Sequence, residues 1–428
     1  MTSTNSYGMT TGFDMVDTLH YAFDTQSALG PNDDTHYTWL TRAGDLVLIT
    51  GSGIDFNNHP PAFGTVTGIS IIYGGNPADS ANVVFSNLPA GLDLSTILSN
   101  HELESSAFAG SDSLRGTDFS DRLFGGVGND IFIAGIGADS YFGGTGKDTL
   151  NFVYASAGVS VYLMYSGLDV GAGLGAKTFS SIEALQGTYY DDRLIGDTGD
   201  NSLKGLGGDD ILKGKGGNDF IWGDDGNDTI RAGDGNDQLK GGNGDDIVFG
   251  LGGMDHLYGD AGIDHLYGGS GIDFVYGGGD RDFLRGNRGD DRLYGGADMD
   301  GIGSGNDDLR GGGGNDQLYA GDGDDFLFGG NGDDTLYGGL GNDAMTGGAG
   351  VDRFVFENNG SGFDRVKDFA NGEDILKISG FGLTFGEINA LSSDTASGLR
   401  INFGGGNVLF VEGFLKADFD ATDVWIFG

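Results

Sequence analysis

From Gly205 to Phe356 the chain repeats one nine-residue unit, G-G-x-G-x-D-x-U-x with U a large apolar residue, and this constrains its fold more than any other feature. The sixth position holds Asp210, Asp219, Asp228, Asp237, Asp246, Asp255, Asp264, Asp273, Asp282, Asp291 and Asp300, then Asp307, Asp316, Asp325, Asp334, Asp343 and Asp352. Two residues later an apolar side chain always follows, from Leu212 and Ile221 through to Met345 and Phe354. A shorter block precedes it between Gly116 and Asn151, with Asp121, Asp130, Asp139 and Asp148 at the sixth position. An acidic disordered tract would not keep its eighth position apolar without exception.

In x-U-x the middle side chain points opposite to its neighbours, so a short strand with the apolar residue inward is expected. The following G-G-x-G-x-D must reverse the chain, which requires positive φ; glycine supplies it freely, and Asn or Asp tolerates it at position five. This use accounts for the 87 glycines. Two units make one coil, so residues eighteen apart should stack about 4.8 Å from one another. Asp210, Asp228 and Asp246 then form one row and Asp219, Asp237 and Asp255 the opposite one. Carboxylates about 5 Å apart repel by roughly 0.8 kcal/mol even at the dielectric constant of water, so the rows need a cation. Carboxylates with freed main-chain carbonyls are hard oxygen donors in an irregular cage, which suits Ca²⁺ better than Mg²⁺ or Zn²⁺.

These nonapeptides resemble the repeats-in-toxin (RTX) calcium-binding family. The resemblance implies an all-β fold: a calcium-bound parallel β-roll solenoid, here with a small mainly β N-terminal domain and a C-terminal β cap. It also implies metal ligation by Asp130, Asp139, Asp148 and the seventeen main-array aspartates named above. The expected domains are residues 1–106, a first repeat block at 107–152, a non-repeat insertion at 153–186, the main roll at 187–356 and a cap with secretion signal at 357–428. The insertion contains an alternating stretch from Val159 to Met164 and is expected to form a calcium-free coil or bulge. Between Asp300 and Asp307 the spacing falls to seven, just after Asp280 and Asp298 replace the fourth glycine, so the roll is expected to break there.

The N-terminal region suggests strands at Leu46 to Thr50, Val66 to Tyr73 and Val83 to Phe85, and helices around Leu92 to Leu98 and Glu102 to Phe108. Beyond the repeats, Phe363 to Phe369 and Gly372 to Gly382 resemble the family's capping region, with strands expected at Leu399 to Phe403 and Val408 to Val411. The final Asp423-Val424-Trp425-Ile426-Phe427-Gly428 resembles the tail of type I secretion substrates.

Composition narrows the function. With 22 basic against 64 acidic residues and a net charge of -42, nucleic-acid and anionic-membrane binding are disfavoured and divalent cations are the natural partners. About a dozen or more bound ions would neutralise much of that charge and couple folding to metal binding. Cysteine is absent, so disulfides and thiolate sites are excluded. Met1 to Gly12 lacks the basic and apolar regions of a secretory signal, and no apolar run is long enough to insert in a membrane. The RTX resemblance instead implies export by the type I secretion machinery to the outside of the cell or its surface.

Enzyme motifs are missing. His101-Glu102 lacks the second histidine of a zinc-protease signature, and no G-x-S-x-G elbow occurs. His256 and His265 occupy position seven of consecutive repeats, hence opposite sheets, and cannot share an ion. Tyr258, Tyr276 and Tyr294 form an outward ladder that either stabilises its sheet or offers a flat surface to sugar rings or a second roll. Arg281, Arg285, Arg288 and Arg292 make a basic patch that Asp280, Asp282, Asp290 and Asp291 are expected to satisfy. The expected function is a non-catalytic, secreted calcium-binding protein of cell-surface or matrix assembly or adhesion, with self-association or cell-surface polysaccharide as possible partners. The alternative is a secreted polysaccharide-acting enzyme or sugar-binding protein whose module lies in residues 1–106, with Asp14, Asp17, Asp33, Asp34 and Asp55 as its acids.

Overall fold

The computed structural model describes residues 110–116, 121–165, 167–296, 305–358, 360 and 362–427, together with the backbone of four strands nearer the N-terminus. The chain forms two compact units: Met1–Ala155 with Tyr165–Leu185, and Ser156–Met164 with Gln186–Gly428.

In the second unit six-residue strands recur every nine residues, beginning Ser202–Gly207, Ile211–Gly216 and Phe220–Asp225. They pair in parallel at a spacing of eighteen, Leu212 opposite Ile230 and Leu203 opposite Ile221, so alternate strands build two facing sheets. Each strand is twice as long as the x-U-x core suggests, because it runs on through the first three residues of the next unit. It bends at position one, where Gly214 is skipped in the ladder between Lys213 and Lys215. The apolar eighth-position side chains project between the sheets, and Leu257, Leu266, Val275 and Leu284 are all fully buried there. A core this narrow leaves each rung dependent on its immediate neighbours.

Positive φ falls at positions two and four, not at five. Gly226 at position four has φ +137, and a β-carbon there would run into the carbonyl of Gly208 one coil below. Asp280 takes the same place with φ 68, a left-handed conformation that aspartate tolerates, so this substitution leaves the turn intact. Position-five side chains serve another purpose: Asp209 Oδ1 accepts from the Asn227 N–H at 2.9 Å, and Asn227 Oδ1 from the Asp245 N–H at 2.8 Å.

The roll is expected to break near 300–307; residues 297–304 lie outside the described residues, and on either side of them both ladders continue. Leu284 pairs with Leu309 and Leu293 with Leu318, both twenty-five residues apart, seven more than one coil, and the ladder is in register on both sheets on either side of residues 297–304. Asp298, Asp300 and Ile302 lie outside the described residues.

Both sheets are closed at the C-terminal end. Gly398–Gly404 and Asn407–Glu412 form an antiparallel hairpin that adds to Phe363–Val366. Val424–Phe427 adds in parallel to Ile375–Ser379, which gives the tail a structural place as the last strand of its sheet. The helix Phe385–Leu391, absent from the sequence reading, starts at a capping box formed by Thr384 and Glu387.

The first unit repeats the pattern on a smaller scale. Ser113–Arg115, Ile131–Ile133 and Thr149–Asn151 pair in parallel on one side, Arg122–Val127 and Ser140–Thr145 on the other. Thr35–Leu40, Leu46–Ser52, Thr65–Ile72 and Asn82–Ser86 form an antiparallel meander whose last strand pairs with Ser113–Arg115. The helices expected at 92–98 and 102–108 fall outside the described residues. The insertion builds rungs in both units: Ser160–Tyr162 pairs with Arg193–Ile195 in the second, and Ala176–Ser180 with Ser140–Phe142 in the first.

Truncating one inward residue, Leu257→Ala, should cost about 2–5 kcal/mol, because the flanking rungs cannot collapse into the gap. Guanidinium unfolding in saturating calcium reads this directly; an unchanged midpoint would place Leu257 outside the core.

Candidate metal centre

Each sixth-position aspartate is placed by a strand end and a tight turn, and one of its oxygens is committed to the neighbouring coil. Asp228 Oδ1 accepts from the Asp210 N–H at 2.7 Å, Asp246 from Asp228 at 2.7 Å, and Asp264 from Asp246 at 2.8 Å. The opposite row repeats this from Asp219 through Asp237, Asp255, Asp273 and Asp291. At the extra seven residues the rows step across without a gap, Asp282 N–H to Asp307 Oδ1 and Asp291 N–H to Asp316 Oδ1, both 2.8 Å. They continue through Asp325, Asp334, Asp343 and Asp352.

The second oxygen of most of these carboxylates has no partner. Oδ2 is buried and unbonded in Asp130, Asp148, Asp210, Asp219, Asp228, Asp237, Asp246, Asp255, Asp264, Asp273, Asp282, Asp291, Asp316, Asp325, Asp334, Asp343 and Asp352. It points into the bend at position one. A β-carbon on Gly223 would collide with Asp228 Oδ2 and lie 2.6 Å from the Gly241 carbonyl oxygen, so that glycine keeps open a space where carboxylate and main-chain oxygens meet.

Burial drives these carboxylates toward their neutral form, and the acids of adjacent coils add to the effect at many of them. Asp228 and Asp273 rise to about 6, Asp219 and Asp255 to about 7, Asp210, Asp246 and Asp316 to about 8, and Asp282 to about 9. The backbone hydrogen bond that each accepts acts in the opposite direction and does not compensate. A buried acceptor of this kind needs either a proton or a cation. Among the described residues no three acidic, imidazole or thiol side chains converge on one point. A cation held here must therefore draw much of its shell from main-chain carbonyls, a donor set that fits a hard ion of flexible geometry.

The family comparison agrees with this chemistry. The sequence model of the RTX calcium-binding nonapeptide repeat (4 copies) matches residues 106–150 and 186–354 in overlapping segments, half of the chain. The chain belongs to the RTX repeat family. Calcium is the ion that this family's repeats bind. A search of curated proteins finds no match. Among solved structures, the extracellular lipase LipA from Serratia marcescens is 14% identical, with TM-score 0.23, over 96% of this chain and 85% of that one. That likeness is too weak to bear on activity.

Several RTX-row members escape the strict motif. Asp112, Asp192 and Asn201 head the rows, each donating its N–H to the aspartate eighteen residues on. Asp364 and Asp374 end them, accepting from Asp343 and Asp352 at spacings of 21 and 22. The nine-residue spacing back from Asp210 reveals Asn201 and Asp192, whereas the altered spacing hides Asp364 and Asp374. Asp139 differs from the other row members: its Oδ2 is bound by the Lys177 ammonium at 2.7 Å, both side chains fully buried. Asp300, and the N-terminal acids Asp14, Asp17, Asp33, Asp34 and Asp55 with His101-Glu102, lie outside the described residues.

The remaining candidates are structural. His256 stacks on Phe274 and His265 on Phe283, in opposite sheets. The tyrosine ladder extends to Tyr258, Tyr276, Tyr294, Tyr319 and Tyr337 with centroids 4.3–5.0 Å apart. Tyr276 and Tyr294 are buried, which favours sheet stabilisation over an open platform for sugars. Among the described residues no ion pair joins the arginine patch to Asp280, Asp282, Asp290 or Asp291, contrary to expectation. Arg281, Arg285 and Arg292 lie over the rings of Phe283, Tyr267 and Phe274, while Asp282 and Asp291 are buried in the turn rows.

An aspartate whose folded pKa exceeds its ordinary 3.8 binds its proton more tightly folded than unfolded, so the metal-free array loses stability as pH rises from about 4 through the 6 to 9 range. In excess chelator, β-sheet circular dichroism should be strongest near about pH 5 and fade toward about pH 8, while millimolar calcium should retain it at both. A chelated signal independent of pH would contradict the burial of these carboxylates.

Proposed function

We propose that this protein is a secreted RTX protein without a catalytic centre of its own, which folds on calcium outside the cell and serves in cell-surface or matrix assembly or adhesion. The observation that carries the reading is the pair of rows of buried, unpartnered aspartate oxygens. Asp130, Asp148 and the main-array aspartates, with carbonyls of the glycine turns, would hold Ca²⁺. When bound, the ion neutralises stacked carboxylates and ties consecutive coils together. The protein's own part is to keep the carboxylates fixed, by Oδ1 hydrogen bonds, and the space beside Oδ2 clear, by glycine at position one.

Extracellular calcium modules typically bind at about 10⁻⁴ to 10⁻³ M, so these turns would be empty in a cytosol and filled outside. An uncollapsed chain inside and a folded one outside suits export through a narrow channel. Among the described residues no helix is long and apolar enough to cross a membrane. The assembly role is supported by apolar side chains that the array leaves exposed at repeating positions, among them Ile247, Met254, Ile263, Ile272, Phe326 and Phe328.

Imaging and light scattering of purified protein should show calcium-dependent sheets, fibres or higher oligomers. A strictly monomeric particle at millimolar calcium would count against assembly. Deleting Asp423 to Gly428 should leave the protein inside the producing cell and, since Val424–Phe427 is a strand, should also raise the calcium concentration needed to fold the purified chain. Normal export of that deletion would remove the secretion argument.

A further inference from the structure

The two rows of the first block end differently. On one side Asp112, Asp130 and Asp148 lead to another acid, Glu183, whose Oε2 accepts from the Asp148 N–H at 2.9 Å. On the other, the Asp121 N–H donates to Asp139 Oδ1 at 2.9 Å, and the next coil supplies a lysine. Thr178 pairs with Ser140 and Phe179 with Tyr141, so Lys177 stands opposite Asp139, in the place where every ordinary repeat puts its next aspartate.

Its ammonium sits in a cage of oxygens. Nζ lies 2.7 Å from Asp139 Oδ2, 2.9 Å from the Gly135 carbonyl, 2.7 Å from the Gly137 carbonyl and 2.8 Å from the Leu174 carbonyl. The Tyr141 hydroxyl donates to the same Oδ2 at 3.0 Å. One carboxylate with carbonyls from two successive turns is the donor set that the metal-binding turns require elsewhere in the chain. Here a fully buried ammonium, a compact point charge with three donors, has taken it. A divalent ion could not enter beside it without facing a like charge and competing for the same oxygens.

We propose that Lys177 is a built-in counter-cation occupying a calcium position, so that the Asp139 turn binds no metal and is closed by the protein itself. This rests on the calcium reading of the other turns. The first block then has one calcium-dependent edge, through Asp130, Asp148 and Glu183, and one edge stapled in calcium's absence.

The test uses the full-length chain. Calcium bound per molecule is counted by elemental analysis after loading and desalting, for wild type, Lys177→Asp and Lys177→Asn. Asparagine is tolerated at this slot, since Asn201 occupies it at the head of a main-array row. Each folded variant should carry one calcium more than wild type. Hydrogen exchange in excess chelator should show protection of residues 134–142 and 174–180 in wild type that both variants lose. Equal calcium counts in wild type and variants, with the wild-type array loaded, would overturn the proposal. Failure of both variants to fold in calcium would also overturn it, because a turn that calcium can close should be rescued by it. A wild type that binds no calcium at all would instead defeat the calcium reading of the array and leave the Lys177 ion pair standing as an ordinary buried salt bridge.

Discussion

Each nine-residue unit of the main array, two to a coil, depends on one aspartate that faces two ways. Its first oxygen accepts from the main chain of the coil before it, a charge-assisted bond of about 1.5–3 kcal/mol. Its second is then forced by the planar carboxylate into the bend, away from water. Which effect wins without a cation can be decided: the pKa values rise despite the backbone bond, so desolvation outweighs it. A carboxylate that is both anchored and starved is stable only when neutralised. The fold therefore carries its demand for a proton or a cation within its hydrogen-bonding scheme.

Much of this was legible in the period of nine. The eighteen-residue register, the buried eighth position and the aspartate rows all follow from it, because a strict repeat leaves one way to stack identical rungs. What periodicity cannot convey is local geometry inside the unit. The strand extends through position three, and positive φ sits at two and four, so that Asn and Asp at five are acceptors for the next coil. Nor can it follow a row once the spacing changes. The loss of two residues near 300 suggests a break, yet the strands on either side of it pair at a spacing of twenty-five, since pairing there is worth more than the closure entropy of seven further residues. Lys177 lies 38 residues beyond Asp139, and only the pairing of Ala176–Ser180 with Ser140–Phe142 brings them together.

The outer faces obey a different economy. Outward rings eighteen apart are held at the strand spacing, so they stack whether or not they have a ligand, and Tyr276 and Tyr294 bury one another in the process. Arginines finish several such stacks: Arg231 lies over Phe249, Phe249 stacks on Tyr267, and Arg285 lies over Tyr267. In a chain of net charge -42 carboxylates are abundant, and Arg310 does pair with one, Asp308, at 2.7 Å. The sixth-position acids are buried in the turns, and ring faces eighteen residues away carry Arg231, Arg285 and Arg292 instead.

The two ends of a roll are its weak points, since each sheet exposes an unpaired edge. At the C-terminal end the hairpin Gly398–Glu412 covers one sheet and Val424–Phe427 the other, with Asp423 fully buried and accepting from the Asp420 N–H. On the proposed reading the same residues are an export address and a structural strand, and they cannot be both at once. A tail paired to Ile375–Ser379 has its backbone groups engaged and is not free to be read by another protein. Reading must come before folding, and a main array that at neutral pH depends on calcium to fold keeps the tail free for as long as the chain remains where calcium is scarce.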